Sequence, residues 1–128
     1  MEPMTEQPMI DYQASCHCGR VRFSFRSREI TTGVRCDCSL CQRRGAVLSS
    51  RYIPPGDFTP HRNQSDLGLY RWNERVLQNH FCKTCGVFTY IADGRDGYRV
   101  NLGCVDGLDI FALEVGRIDG KSVPRLGR

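Results

Sequence analysis

Cysteine spacing is the feature of this sequence that most restricts how the chain can fold. Eight of the 128 residues are cysteine, and seven of them occur as C-x-C, C-x-C-x-x-C and C-x-x-C. Cysteines this close along a chain are poor disulfide partners but natural chelates for a metal ion. The first residues lack the basic and apolar regions of a secretory signal, so we expect a cytoplasmic protein that uses these cysteines for metal.

Two of the cysteine pairs predict a structural zinc site. "SCHCGR" contains Cys16 and Cys18, and "FCKTCG" contains Cys82 and Cys85, followed by Gly86 at the strained position after a tight turn. Two such pairs far apart in sequence are the usual source of a closed, tetrahedral zinc site. We therefore assign these four cysteines to one structural zinc ion.

The remaining cluster, "CDCSLCQRRG", contains Cys36, Cys38 and Cys41 and predicts a different kind of site. Three protein ligands with an open fourth position are typical of catalytic zinc. The alternative is that Cys104 is the fourth ligand and closes the site, although a lone cysteine in an apolar strand is usually a small buried hydrophobe. His80, two residues before a cysteine, is a weaker candidate ligand. We expect the open site, with the three cysteines as catalytic residues.

Thiolate ligands and neighbouring arginines restrict the chemistry that such a site can perform. Arg35, Arg43 and Arg44 are close enough in sequence to offset the negative charge of three thiolates on zinc. A metal ion deprotonates an incoming thiol, whereas a free thiol is only a few per cent ionised at neutral pH. The pattern predicts a thiol substrate that attacks a small carbonyl compound, with Arg43 and Arg44 as candidate binding residues. Arg51 and Arg71 are further candidates for its carboxylates.

Between the cysteines, the sequence predicts short β-strands and one helical turn. Alternating apolar and polar residues, bounded by turn residues, predict strands in "VRFSF", "AVLSSRYI", "LGLYRW", "RVLQNHF", "VFTYIA", "YRVNLGCV" and "IFALEVGRI". The helical turn is "SLCQRR", ended by Gly45. We expect a disordered leader over residues 1–13, one mostly β, antiparallel zinc-binding domain over 14–120, and a basic tail over 121–128.

Charge and hydropathy limit the partners. The net charge is +4, and sixteen of the eighteen bases are arginine, which suits an anionic small molecule or a nucleic-acid backbone. No run of bases marks a nucleic-acid footprint, and no segment approaches the length of a membrane span. We expect a monomer or homodimer that binds a small thiol and no membrane. The alternative is a non-catalytic zinc module that binds a protein or nucleic acid.

Four motifs of this chain resemble, in order and spacing, those of the glutathione-dependent formaldehyde-activating enzyme family, which includes centromere-protein-V-like proteins. The motifs are "SCHCGRVRF", "CDCSLCQRRGA", "FCKTCGV" and "VNLGCVDGLD". The resemblance covers about residues 14–120. It implies a β-tent fold, two zinc ions and carbon–sulfur lyase activity that joins glutathione to formaldehyde. It also implies the same division of the cysteines, with Cys16, Cys18, Cys82 and Cys85 on structural zinc and the other three on catalytic zinc.

Overall fold

A computed structural model describes residues 7–72 and 77–122. The first six residues of the predicted leader, the predicted turn at Asn73 and Glu74, and tail residues 123–128 lie outside the described residues. Across the described ranges, no helix has both the length and the apolar character needed to span a membrane.

The described chain forms ten strands and one short α-helix. The helix α1 spans Ser39–Arg44, begins at Cys38 as its N-cap and ends at Gly45 with φ 71°, as predicted. The strands are β1 (Ile10–Ser15), β2 (Arg22–Ser27), β3 (Thr32–Cys36), β4 (Leu48–Ser49), β5 (Phe58–Thr59), β6 (Leu67–Trp72), β7 (Leu77–Cys82), β8 (Phe88–Ala92), β9 (Tyr98–Val100) and β10 (Glu114–Ile118).

Three sheets result, with strand orders β1-β2-β5, β10-β3-β4 and β6-β7-β8-β9. The strand pairs described are antiparallel, apart from β3 and β10, which pair in parallel. The mostly β architecture with antiparallel sheets and one short helix is therefore confirmed. The parallel pair is an addition, and it brings the end of the chain beside the strand that leads into Cys36.

An aromatic cluster joins the first sheet to the four-stranded sheet. Phe23 on β2 is 4% exposed, because alternate side chains of a strand face the same side and this side is the core. Its ring meets Tyr90 edge-on at 4.9 Å, and Phe58 stacks on Tyr98 at 3.9 Å. These contacts pack the first sheet against strands β8 and β9.

A smaller core lies between the four-stranded sheet and the sheet that contains β3 and β4. Leu48, Phe88 and Ile91 are its buried members, and Val34 and Leu77 pack against it. Strand β8 contributes to both cores and is buried along most of its length. The helix α1 follows β3 directly, so this smaller core fixes the strand that carries the helix.

Two predicted strands are shorter than expected, because polar side chains bind nearby backbone. "AVLSSRYI" is extended only at Leu48–Ser49, since the Ser49 hydroxyl donates to the Arg51 carbonyl at 2.9 Å. "YRVNLGCV" ends as a strand at Val100, and Leu102–Cys104 is a 3-10 turn. Asn101 caps that turn by accepting from the Gly103 N–H at 3.0 Å. Such local hydrogen bonds compete with sheet pairing.

The ends of the domain also differ from the predicted boundaries. Residues 10–13, assigned to the disordered leader, belong to β1 because they pair in register with β2. In "IFALEVGRI", Ile110–Ala112 is a 3-10 turn capped by Asp109, and the strand begins only at Glu114. The chain therefore turns before β10, and this turn contributes to the cleft described below.

Candidate metal centres

Cys16, Cys18, Cys82 and Cys85 form a four-cysteine cluster, as predicted. Their sulfur atoms all lie within 4.8 Å of one another. Cys18 Sγ is 3.6 Å from Cys16 Sγ and 3.7 Å from Cys82 Sγ. A tetrahedral zinc ion with Zn–S bonds of about 2.3 Å requires sulfur atoms about 3.8 Å apart. The donor set and its spacing therefore fit zinc.

Two similar turns place these sulfurs. Cys16 N–H donates to the Val21 carbonyl, and Cys82 N–H donates to the Val87 carbonyl, both at 3.0 Å. Each turn contains a glycine with positive φ, and the one after Cys85 is Gly86 at 80°, as predicted. The Cys82 sulfur accepts from the N–H groups of the next turn at 3.3 and 3.4 Å. Local backbone hydrogen bonds thus position both ligand pairs.

These backbone donors also favour the thiolate form that zinc requires. N–H groups of Cys18 and Val87 lower the pKa of Cys85 from its ordinary value to about 6. A thiol with such a pKa is ionised at neutral pH and needs no proton displaced by the metal. The Arg20 N–H also lowers the pKa of Cys18, but desolvation and hydrogen bonds to the neighbouring cysteine sulfurs outweigh it and raise that pKa to about 11. One sulfur of the cluster thus ionises readily, whereas a metal ion must displace the proton of another.

Cys36, Cys38 and Cys41 form a three-cysteine cluster at the junction of β3 and α1. Their sulfurs also lie within 4.8 Å of one another, which suits a single zinc ion. Cys38 is 2% exposed and accepts the Cys41 N–H at 3.4 Å as the helix N-cap. Cys36 and Cys41 are only partly buried. The helix start thus orients the cluster, with one sulfur inside and two nearer the surface.

Cys104, the candidate fourth ligand, does not lie in this cluster. The group of mutually close sulfurs at this position contains only the three cysteines. The Cys104 thiol instead donates to the Phe88 carbonyl at 3.5 Å, and burial raises its pKa to about 12. His80 is likewise in neither cluster; it packs against Tyr90, with ring centroids 5.0 Å apart. Among the described residues, neither Cys104 nor His80 belongs to the three-cysteine cluster, so the open fourth position stays a prediction.

Arg44 lies behind the three-cysteine cluster and contacts it directly. Its guanidinium donates to Cys41 Sγ at 3.5 Å and to Asn79 Oδ1 at 2.8 Å, and it stacks 3.6 Å above the Phe88 ring. Burial raises the pKa of Cys41 to about 12, and the charge of Arg44 opposes that rise. Arg44 is therefore placed to offset negative charge on the sulfurs, as its position in sequence suggests.

The other arginines considered from sequence lie elsewhere. Arg43 is exposed and donates to the Ser39 carbonyl of its own helix at 2.8 Å. Arg51 borders a separate cavity of about 500 Å³ that no cysteine lines. Arg71 is exposed on β6. Neither Arg43 nor Arg44 lines the cleft at the three-cysteine cluster, so their predicted contact with substrate stays a prediction.

A cleft of about 660 Å³ opens beside the three-cysteine cluster, and we call it the cysteine cleft. Its polar lining includes Cys36, Cys41, Gln42, Arg35, Asp37 and Arg117. Arg117 on β10 donates to Asp37 at 2.7 Å. Arg35 is exposed, and no ion pair is found for it among residues 7–72 and 77–122. Two of the three cysteines thus line a cleft that also contains Arg35 and the Arg117–Asp37 pair.

Gly120 is a site residue that sequence reasoning missed. It is buried, and a Cβ atom at this position would lie 2.5 Å from Cys36 Sγ and 3.0 Å from the Cys38 Cβ. The Cys36–Cys38 turn is held against this segment, since Asp37 N–H donates to the Ile118 carbonyl at 3.1 Å. The backbone of residues 118–120 therefore covers one side of the cluster. No local sequence signal marks Gly120, because its partners are about eighty residues away.

We expect Gly120→Ala to weaken zinc binding at the three-cysteine cluster by about tenfold to a hundredfold. The added methyl overlaps the Cys36 sulfur, and overpacking costs about 1–3 kcal/mol. Competition with a chromogenic chelator measures the affinity. Gly116→Ala is the matched control, because its Cβ would meet only Val34 at 3.9 Å. Equal affinities for the two variants would contradict the predicted role.

A solved structure and a protein-family model match this chain. A crystal structure of a Rhodobacter sphaeroides protein is similar, with a TM-score of 0.72 and 32% sequence identity; the match covers 83% of this chain and 99% of that chain. The family described as glutathione-dependent formaldehyde-activating enzyme matches residues 11–116, a range that contains both cysteine clusters. The resemblance seen in the sequence is therefore confirmed, and this chain belongs to the glutathione-dependent formaldehyde-activating enzyme family.

Proposed function

We propose that this protein is a zinc-dependent carbon–sulfur lyase that joins a low-molecular-weight thiol, such as glutathione, to a small aldehyde. One zinc ion at the four-cysteine cluster has a structural role, and a second at the three-cysteine cluster has a catalytic role. The observation that carries this proposal is the cysteine cleft, which gives a ligand access to Cys36 and Cys41. The four-cysteine cluster, in contrast, already provides a full tetrahedral set.

Each part of the cleft has a task in this proposal. Zinc at the cluster would supply a position at which the incoming thiol is held as thiolate. Arg35 attracts a carboxylate of the thiol, while Arg117, held by Asp37, borders the same side of the cleft. Together they hold the thiol in one orientation, and this positioning is the main contribution to its reaction with an aldehyde. Arg44 offsets the charge of the cysteine sulfurs from behind.

The reaction is an addition whose atoms balance without a further reactant. The sulfur forms a bond to the carbonyl carbon, and the π electrons of the C=O bond move to oxygen. The oxygen takes up the proton that the thiol released, giving a hydroxyalkyl thioether. Gln42 lines the cleft and can donate a hydrogen bond to this oxygen as charge develops on it. The reverse reaction uses the same groups.

Exchange kinetics test this function directly. Glutathione and formaldehyde interconvert with their adduct, and NMR exchange spectroscopy measures the rate of this interconversion. We expect a catalytic amount of zinc-loaded protein to accelerate it. The spontaneous rate is subtracted, because formaldehyde adds to thiols unaided. Cys104→Ala, which lies outside both clusters and the cleft, should keep the acceleration. An unchanged exchange rate with fully zinc-loaded protein would contradict the proposal.

A further inference from the structure

One side of the cysteine cleft is apolar and belongs to β10 and the segment that leads into it. We call this side the apolar wall; it consists of Ile110, Phe111, Leu113 and Val115. Phe111 is 91% exposed and Val115 is 40% exposed. A large aromatic side chain left in water beside a reactive cluster is unusual, since burying it would contribute about 1.5–3 kcal/mol.

Local structure holds Phe111 in this exposed position. Asp109 caps the 3-10 turn by accepting the Phe111 N–H at 3.0 Å. Ile110 and Leu113 pack against the main core and anchor the turn on both sides. Phe111 lies between these anchors and is left facing the cleft. The exposure therefore follows from a capped and anchored turn.

The lining of the cysteine cleft also includes charged residues. Arg35 and Arg117 are direct partners in the parallel pairing of β3 and β10, so their side chains leave the same face of the sheet. Asp37 is bonded to Arg117 and neutralises one of the two charges. The cleft thus combines a net positive region with an apolar wall, and both lie next to the sulfurs.

Glutathione and formaldehyde use only part of this lining. The peptide carboxylates match the arginines, but glutathione is polar throughout and formaldehyde has no apolar surface. The volume of this open cleft, about 660 Å³, lies within the range of small-molecule sites. The apolar wall would remain in water in a complex with those two substrates alone.

We propose that the natural electrophile carries an apolar substituent, an aryl group or a short alkyl chain, which packs against the apolar wall while its carbonyl carbon meets the thiol. This inference rests on the proposed function, because it takes the thiol to be held at the three-cysteine cluster. It identifies Phe111 as the residue that determines specificity for the electrophile, and it makes formaldehyde a minimal substrate rather than the preferred one.

Stable thioethers test the inference without turnover. S-benzylglutathione and S-methylglutathione stand in for adducts with an apolar and a minimal substituent, and isothermal titration of the zinc-loaded full chain gives their affinities. We expect S-benzylglutathione to bind about tenfold more tightly. Phe111→Ala should reduce this ratio to about twofold or less. Leu69→Ala, which removes an exposed apolar side chain on β6, should leave it unchanged.

Each other outcome overturns the inference in an identifiable way. A ratio near one in the wild-type protein, or a ratio that Phe111→Ala leaves intact, rejects the apolar substituent. If glutathione itself binds in that experiment, the proposed function survives and only the inference fails. If neither thioether nor glutathione binds, both fail. A dimer that Phe111→Ala dissociates in sedimentation would assign the apolar wall to a second copy of the chain instead.

Discussion

The Cys82→Ala protein is expected to be unfolded at room temperature. Cys82 is fully buried, and its sulfur lies 3.7 Å from Cys18 Sγ inside the four-cysteine cluster. Structural zinc contributes about 10–16 kcal/mol to small domains, whereas a whole domain is stable by about 5–15 kcal/mol. The variant keeps only three of the four sulfurs and leaves a cavity at a fully buried position, so it loses a large share of this free energy, comparable with the stability of the whole domain. Far-UV circular dichroism and zinc analysis of the purified variant measure the effect.

Cys104→Ala is the matched control for this prediction. Cys104 is also buried, at 6% exposure, but its sulfur belongs to neither cluster. We expect this variant to stay folded with its zinc content unchanged and to lose about 1 kcal/mol of stability, the usual size for a single substitution. A folded Cys82→Ala protein with full zinc content would show that the four-cysteine cluster is not the structural site.

Cys41→Ala should abolish catalysed thiol addition and leave the fold intact. On our assignment the variant loses the catalytic zinc, while the four-cysteine cluster is untouched. The thiolate fraction of a thiol with pKa about 8.5 is then about thirtyfold lower at pH 7, and the loss of positioning reduces the rate further. The exchange rate above background should fall by at least about thirtyfold, and one equivalent of zinc should be lost.

The pH dependence of the same assay separates catalysis from background. The remaining rate in Cys41→Ala should rise about tenfold per pH unit below 8.5, because it depends on free thiolate. The wild-type rate should be nearly independent of pH between 6.5 and 8. Ser39→Ala alters the same helix without removing a sulfur and should behave as wild type. A Cys41→Ala protein with wild-type rate and pH profile would reject the catalytic assignment.

The two cysteine clusters were predictable because their geometry is local. C-x-C and C-x-x-C place two sulfurs within reach of one ion, whatever the rest of the chain does. The fold class and α1 follow from equally local signals, the alternating strands and the glycine after Arg44. A closed tetrahedral site takes four ligands, and the two cysteine pairs supply four. This count is enough to assign both pairs to one ion.

The cleft could not be predicted, because long-range pairing creates it. The apolar alternation around Phe111 predicts a strand, and nothing in the neighbouring sequence shows that Asp109 caps a turn there. Gly120 covers the Cys36 sulfur only because β10 pairs in parallel with β3. Ser49 and Asn101 end strands through side-chain hydrogen bonds that compete with a clear apolar alternation. Whether these two side chains end a strand depends on which backbone groups they bond, and a local sequence pattern does not identify those groups.

The parallel pairing of β3 with β10 sets an order for biosynthesis. The last ligand of the four-cysteine cluster to be synthesised is Cys85. Gly120, which covers one side of the three-cysteine cluster, is synthesised later. During translation the nascent chain can therefore bind its stabilising ion and begin to fold before the last strand leaves the ribosome. Cys36, Cys38 and Cys41 lack this cover until then, so the three-cysteine cluster is completed after the four-cysteine cluster.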